Sequence, residues 1–193
     1  MGIANTEWSI KMAERWIKIP SKGSIVPVNE LSWLIFADTN PENAASKIVE
    51  AMNSTLSVSV QATGIDAIYQ ATKAIAVALD GLRAYCKIHL ENQSVCWSIS
   101  ACRTKPKQPQ VRNIIDITQE LNIESAVRKI LRTARKGMSV GLRAVGAADV
   151  YKANEVLLLT SSWLEKDGLS IHFTINEGKE INSIGAICWF ISQ

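Results

Sequence analysis

The sequence contains few of the residues that build covalent or metal sites. Only 2 histidines and 4 cysteines occur in 193 residues, and no two cysteines are spaced as C-x-x-C. Because structural zinc sites usually depend on closely spaced ligands, we expect neither a metal nor another cofactor. Isolated cysteines are typical of reduced thiols, so we expect a cytoplasmic protein.

Long apolar runs and a strong net charge are also lacking. The apolar stretch at 156–164 is far shorter than the roughly 20 residues that cross a bilayer. Residues 1–16 lack the basic and apolar regions of a secretory signal. With 21 basic and 18 acidic residues, the net charge is only +3. No overall field therefore favours nucleic acid or a membrane, and partners must be inferred from local clusters of charge.

The sequence does contain an internal repeat. Residues 40–53 align with 122–135 and, without a gap, 57–71 align with 139–153. The identical pairs are Asn40/Asn122, Glu42/Glu124, Ala44/Ala126, Lys47/Lys129, Ile48/Ile130, Ser57/Ser139, Val58/Val140, Ala62/Ala144, Gly64/Gly146, Tyr69/Tyr151 and Ala71/Ala153. After short insertions, KIHL aligns with SIHF and VCWSIS with ICWFIS, so the two histidines are equivalent. This self-similarity predicts a duplicated domain.

The repeat divides the chain into four parts. We define residues 32–103 as the first repeat and 113–193 as the second repeat. Between them, 104–112 contain two prolines, three basic residues and no acid, a composition typical of an extended linker. Residues 1–31 form an N-terminal extension. Within it, the pattern at 7–18 fits either an amphipathic helix or a strand, and both interpretations stay open.

Hydrophobic periodicity predicts the same order of elements, β-α-β-α-β-β, in both repeats. In the first repeat, strands are expected at 32–37, 57–63, 84–91 and 95–102, and helices at 40–53 and 65–80. In the second repeat, strands are expected at 113–117, 139–145, 168–176 and 184–192, and helices at 122–136 and 147–164. The predicted fold class is α+β, with helices and sheet in two layers.

The last strand of each repeat has one face suited to the core. Alternation assigns to this face Val95, Trp97, Ile99, Ile187, Trp189 and Ile191. The opposite face carries His89 and Cys96, with Cys188 in the second repeat. His89 and Cys96 could form a nucleophilic pair, but no oxyanion loop or orienting third group accompanies them. We therefore predict a polar sheet face and no enzymatic activity.

The segment QATGIDAIYQATKAIAVALD, at 61–80, consists of a strand end, a glycine and an alanine-rich helix. It closely resembles the corresponding segment of the stage V sporulation protein S family. The residues that carry the resemblance are Gln61, Ala62, Gly64, Ala67, Gln70, Ala71, Lys73, Ala74, Ala76 and Ala78. The preceding ADTNPENAASKI is similar to the loop and first helix of that family. The resemblance covers about 32–102 and extends to the second repeat only through the internal repeat.

This resemblance implies a fold and a partner. The family belongs to the Alba-like group, so it implies two tandem Alba-like β-α-β-α-β-β domains that form a pseudo-dimer. Alba-like proteins are typically dimers that bind DNA or RNA, although a fold alone does not fix function. The family-segment residues are Gln61, Gly64, Gln70, Lys73 and Gly146. The second repeat departs from the pattern, with Arg143 in place of the glutamine and Glu155 in place of the lysine, so the repeats need not bind alike.

Small residues form a stripe along the helix of the segment. Ala67, Ala71, Ala74 and Ala78 recur at helical spacing, which allows another backbone to approach closely. Gly64 before this helix favours a tight turn, and the helix N-terminus could also receive a phosphate. Of these two roles we favour packing.

Basic residues concentrate in the second repeat and the linker. Between Glu124 and Asp149 there is no acidic residue, and Arg128, Arg132, Arg135 and Lys136 are predicted to share one helix face. The candidate phosphate-contacting residues are Lys105, Lys107, Arg112, Arg128, Lys129, Arg132, Arg135, Lys136, Arg143 and Lys152. The alternative interpretation of this cluster is a solvated helix face. The loops before the first helix of each repeat contain no lysine, unlike many Alba relatives.

These observations lead to two hypotheses from different classes. The first is a non-enzymatic protein, possibly regulatory, that binds DNA or RNA mostly through phosphates. The alternative is a self-assembling scaffold protein that uses the Alba-like domains and the N-terminal extension for protein–protein contacts. A partner role within a larger complex also stays open, as do further homo-oligomers and the choice between DNA and RNA.

Overall fold

A computed structural model of the chain describes residues 26–29, 32–102, 111, 113–178 and 183–192. Within these residues, nine strands form one sheet, and four helices pack on one of its faces. The strands are β1 (Val26–Asn29), β2 (Ser32–Ile35), β3 (Ser57–Ala62), β4 (Ala84–Glu91), β5 (Ser94–Ala101), β6 (Ile114–Ile117), β7 (Val140–Val145), β8 (Leu169–Glu177) and β9 (Ser183–Ser192). The helices are α1 (Pro41–Ser54), α2 (Ile65–Gly81), α3 (Ile123–Ala134) and α4 (Gly146–Lys166). The predicted α+β class is confirmed.

The order of elements β-α-β-α-β-β occurs twice, and the sheet order reflects it. Across the sheet the strands run β1-β2-β3-β5-β4-β8-β9-β7-β6, so the two sides of the β4–β8 junction mirror each other. The pairs β2–β3 and β6–β7 are parallel, and the others are antiparallel. β1, which lies in the N-terminal extension, adds an edge strand to the first repeat.

The junction between the repeats has approximate two-fold symmetry. Cys86 of β4 lies opposite Phe173 of β8 in an antiparallel pair. In the internal repeat Phe173 corresponds to Leu90, so the pairing centres on the equivalent residues Ile88 and Ile171. Helix α2 packs on β8 and helix α4 on β4, and the two helices contact each other. Each repeat therefore supplies part of the other's core.

The first helix of each repeat begins with the same cap. The side-chain oxygen of Asn40 accepts a hydrogen bond from the Asn43 backbone N–H at 2.9 Å. Asn122 accepts the equivalent bond from Ser125, also at 2.9 Å. Each asparagine satisfies one of the amide groups that a helix N-terminus leaves without a partner. The asparagines that the two repeats share therefore have the same role, as helix N-caps.

The second helix of each repeat begins at a glycine with a positive φ angle. Gly64 has φ 88° and Gly146 has φ 81°. A Cβ added at either position would meet no atom within 4 Å. Backbone conformation, and not lack of space, therefore explains the two glycines, because L-residues with side chains rarely adopt this region.

A buried polar group joins the repeats at their centre. Asn154 on α4 and Thr72 on α2 occupy equivalent positions of the repeat, and Asn154 Nδ2 donates to Thr72 Oγ1 at 3.2 Å. Asn154 Oδ1 accepts from the Trp97 indole N–H at 3.2 Å, and Nδ2 also donates to the Val150 carbonyl at 2.9 Å. Thr72 in turn donates to the Ile68 carbonyl at 2.7 Å. All of these polar groups are paired, which a buried network requires.

The alanine stripe and the first predicted core tryptophan are confirmed as core. Ala67, Ala71, Ala74 and Ala78 are at most 4% exposed, on a helix that packs against α1, α4 and β8. Trp97 is fully buried. Small side chains on this central helix allow neighbouring backbones to approach closely, as the spacing predicts.

The face assigned to β9 is wrong. In the first repeat Trp97 lies opposite Ile88, whereas in the second repeat Trp189 lies opposite His172. Cys188, predicted on the opposite face, is fully buried and lies opposite Phe173. The register differs by one residue, which exchanges the faces of the strand. Alternation could not reveal this, because the ICWFI run is apolar at every position.

The described residues contain no helix that is both long and apolar enough to cross a membrane. Residues 1–25 lie outside the described residues, and so does the helix or strand predicted at 7–18.

Candidate nucleic-acid interface

Helix α3 separates its apolar and basic residues cleanly. Its buried face consists of Ala126, Val127, Ile130, Leu131, Thr133 and Ala134. Arg128, Lys129 and Arg132 are exposed. Together with Asn122, Glu124 and Ser125, they line a shallow depression of about 380 Å³. The helix thus presents three cations around one concave surface.

The predicted helix face is wrong for its last two members. α3 ends at Ala134, and the amides of Lys136 and Gly137 bond to the carbonyls of Thr133 and Ala134 in a tight turn. Arg135 and Lys136 therefore lie beyond the helix. Both remain exposed at its C-terminal end.

Three of the candidate cations are paired with carboxylates. Arg128 contacts Glu124 at 3.3 Å, with both side chains largely exposed. Arg135 contacts Asp167 at 2.8 Å, which connects the end of α3 to the end of α4. These exposed pairs are each worth little in stability, but they lower the charge available to a ligand.

The third paired cation, Arg143, does not lie with the others. It contacts Asp116 at 2.7 Å. Its neighbours on β7, Leu142 and Ala144, are buried under the helices, so Arg143 projects from the opposite face of the sheet. The structure therefore separates it from the α3 depression.

Lys129, Arg132 and Lys136 keep their charge available. No carboxylate of the described residues lies within ion-pair distance of them, and all three are exposed. Lys129 and Arg132 are three residues apart, so they lie on one side of α3, and Lys136 follows in the turn after the helix. Lys152 of α4 donates instead to the backbone carbonyl of Gln119. Lys105, Lys107 and Arg112 lie outside the described residues.

The equivalent helix of the first repeat has a different surface. Lys47 matches Lys129, but Glu50 occupies the position of Arg132, and the two side chains form an ion pair at 2.8 Å. The hydrogen bond from Lys47, with its charge, lowers the pKa of the Glu50 carboxyl. Ser46 occupies the position of Arg128. The first repeat therefore lacks the basic surface of the second.

The family-segment residues do not form one site. Gln61 lies on the sheet face away from the helices, with its Nε2 3.4 Å from Glu91 Oε2. Gln70 and Lys73 lie on α2, and the Lys73 ammonium is 5.6 Å from the centre of the Tyr69 ring. Gly64 and Gly146 form the two turns described above. The structure therefore places these residues on the sheet face, on helix α2 and at the two turns, and does not bring them together.

Three residue types that ligate metals meet on the β4–β5 hairpin. The side chains of His89, Glu91 and Cys96 bring one nitrogen, oxygen and sulfur atom within 4.8 Å of one another. The group contains a single cysteine, so the cysteine spacing that usually predicts a zinc site does not indicate it. The signal that could have found it is H-x-E on one strand face, with a cysteine opposite the histidine across a two-residue turn.

A cleft lies between the β4–β5 hairpin of the first repeat and helix α4 of the second. Its volume is about 800 Å³, and Leu90, Tyr151, Leu158 and Leu159 contribute to its lining. Leu90 is 63% exposed and Leu159 is 39% exposed. The cleft therefore offers apolar surface at the junction of the two repeats.

Part of the chain matches a known protein family. Residues 34–90, which run from β2 almost to the end of β4, match the family Stage V sporulation protein S (SpoVS). The match supports this family for the first repeat. Comparison with curated proteins gives no match.

Proposed function

We propose that this chain is a non-enzymatic, cytoplasmic protein that binds DNA or RNA through phosphates, with two Alba-like units fused into a pseudo-dimer. The fused arrangement is supported by the repeated order of elements, the equivalent helix caps and the mirrored strand order. The family match for residues 34–90 supports the family of the first unit alone. In this proposal the second unit carries the basic surface that binds phosphates, and the first unit lacks it.

The observation that carries the proposal is the exposed row of Lys129, Arg132 and Lys136. Cations without nearby carboxylates gain most from a phosphate, because binding releases the counterions of the nucleic acid and breaks no internal ion pair. Arg128 adds a fourth cation when it exchanges Glu124 for a phosphate oxygen. Contacts of this kind position a backbone and carry no base information, so we expect little sequence preference.

Binding to generic duplex DNA and to unstructured RNA at a series of salt concentrations tests the proposal. We expect the logarithm of affinity to fall linearly with the logarithm of salt, with a slope of about 0.9 for each phosphate contacted on duplex DNA. The double variant Lys129→Gln, Arg132→Gln should bind more weakly and with a shallower slope. The circular dichroism spectrum of the variant should match that of the unmodified protein, which checks that the variant is folded.

Lys47→Gln is the matched control, because Lys47 is equivalent to Lys129 but is paired with Glu50. It should leave affinity and slope unchanged. Absence of binding near about 50 mM salt, where phosphate contacts are strong, would contradict the proposal. A loss in Lys47→Gln equal to the loss in the double variant would also contradict it.

The second candidate function is assembly through protein–protein contacts. Exposed apolar side chains at the cleft, Leu90 and Leu159, favour it, because apolar surface of this kind is typical of interaction sites. Light scattering at several protein concentrations distinguishes the candidates. A constant monomer mass argues against assembly, and a mass that rises with concentration supports it.

A further inference from the structure

The β4–β5 hairpin brings a histidine, a glutamate and a cysteine to one place on the sheet. His89 lies directly opposite Cys96, and Glu91 lies two residues further along the His89 strand, on the same face. Glu91 Oε2 is 4.0 Å from His89 Nε2 and 3.8 Å from Cys96 Sγ. The hairpin register therefore fixes all three residues relative to one another.

The local polar contacts converge on the Glu91 carboxylate. The Cys96 thiol is within hydrogen-bond distance of Glu91 Oε2 and, at 3.7 Å, of the Ser94 carbonyl. Gln61 Nε2 lies 3.4 Å from the same carboxylate oxygen.

We propose that His89, Glu91 and Cys96 bind one Zn²⁺ ion, with the fourth ligand position left to water. Three protein ligands and one open position are typical of zinc sites that are not purely structural. On binding, the Cys96 Sγ–H bond breaks, the proton leaves to solvent, and a sulfur–zinc bond forms. The thiolate and carboxylate charges then balance the charge of the ion.

The geometry requires only small side-chain movements. Ligand atoms around a tetrahedral zinc ion lie roughly 3.4 Å apart, given bonds of about 2.0–2.3 Å, and the three atoms here already lie within 4.8 Å. The side chains of His89 and Glu91 are about half exposed and can rotate toward the buried sulfur. Gln61 is placed to orient the Glu91 carboxylate, as neighbours of metal ligands commonly do.

The ligand set selects among metals, and only the first repeat provides it. Thiolate and imidazole favour Zn²⁺ over Mg²⁺ or Ca²⁺, which prefer oxygen ligands. In the second repeat His172 stacks on Tyr85 with ring centres 4.3 Å apart. Cys188 lies opposite Phe173 and not opposite His172. Among the residues that the structure describes, the proposed site is therefore single, so one ion per chain is expected.

Zinc competition against a chromogenic chelator, together with Co²⁺ absorption spectra, tests this site on the full chain. We expect one Zn²⁺ per chain, and a thiolate-to-cobalt charge-transfer band when Co²⁺ is bound. His89→Gln and Cys96→Ser should each lower zinc affinity by about tenfold or more, and Cys96→Ser should abolish the band.

Cys102→Ser is the matched control, because this cysteine lies outside the group and should leave both readouts unchanged. His89 is exposed, so His89→Gln keeps the test valid if the buried Cys96 variant fails to fold. Failure to bind micromolar Zn²⁺ would overturn the proposal. Unchanged zinc affinity in His89→Gln would overturn it as well.

Discussion

The two repeats share a frame but differ at the surface. Asn40 and Asn122 cap their first helices with equivalent hydrogen bonds, and Gly64 and Gly146, at the start of the second helices, have similar positive φ angles. The residues that face solvent diverge instead, most clearly where Arg132 replaces Glu50. Positions that the backbone geometry requires are therefore alike in the two repeats, whereas exposed positions differ.

The two histidines also differ in their exposure and in their neighbours. They are equivalent in sequence, yet His89 is about half exposed beside Glu91 and Cys96. His172 is 7% exposed, stacks on Tyr85, and lies 3.0 Å from Ser170 Oγ. His172 is buried at the β4–β8 junction. His89 lies opposite Cys96, but the one-residue difference in the register of β9 places Cys188 opposite Phe173 and not opposite His172.

The largest effect on stability is expected when the buried pair Asn154 and Thr72 is made identical in the two repeats. Asn154→Thr gives both repeats a threonine at this position and removes the acceptor of the Trp97 indole N–H. A buried donor left without a partner costs about 1–3 kcal/mol, so the free energy of unfolding in urea should fall by about that amount.

A double-mutant cycle with Trp97→Phe isolates the indole–amide bond. Because these residues are in contact, we expect their effects to be non-additive by about 1 kcal/mol. Strictly additive losses would contradict the central role given to this bond.

A smaller effect distinguishes the histidines by pH. Burial first, and the Lys87 ammonium second, lower the pKa of His172 to about 4, against about 6.5 in an unfolded chain. Between these values the unfolded chain binds a proton that the folded protein does not. Stability is therefore fully present above about pH 6.5 and falls as the pH drops toward 4, by about 1 kcal/mol per pH unit.

Urea unfolding between pH 7 and pH 5 measures this slope, in buffer that contains a chelator. His172→Gln should remove most of the histidine contribution. His89→Gln, the change at the equivalent exposed position, should retain it. An identical slope in His172→Gln and in the unmodified protein would contradict the assignment.

Much of the fold could be predicted because its signals are local. Asn-Pro at the start of α1, glycine before α2 and the alternation in β4 each specify backbone geometry within a few residues. Helix α4, expected at 147–164, runs from Gly146 to Lys166. Because the two repeats align, each element that is predicted in one repeat also predicts the equivalent element in the other.

Features that depend on tertiary contacts could not be predicted. The register of β9 could not be read from an apolar run, and the bond between Asn154 and Trp97 joins residues of different repeats. The basic cluster was recognised as a group, but the partners Asp116 and Asp167 come from distant segments. The structure shows that Lys129, Arg132 and Lys136, the exposed cations along α3 and the turn after it, have no carboxylate partner among the described residues.

The most direct test of the account exchanges the charges at one equivalent pair of positions. Arg132→Glu should weaken nucleic-acid binding and lower the salt slope by about one unit. Adding Glu50→Arg to that variant should restore part of both, because Lys47 is released from its ion pair and the first repeat then has cations at two of the three equivalent positions. Unchanged affinity and slope in Arg132→Glu, in a folded protein, would contradict the claim that the α3 surface of the second repeat binds nucleic acid.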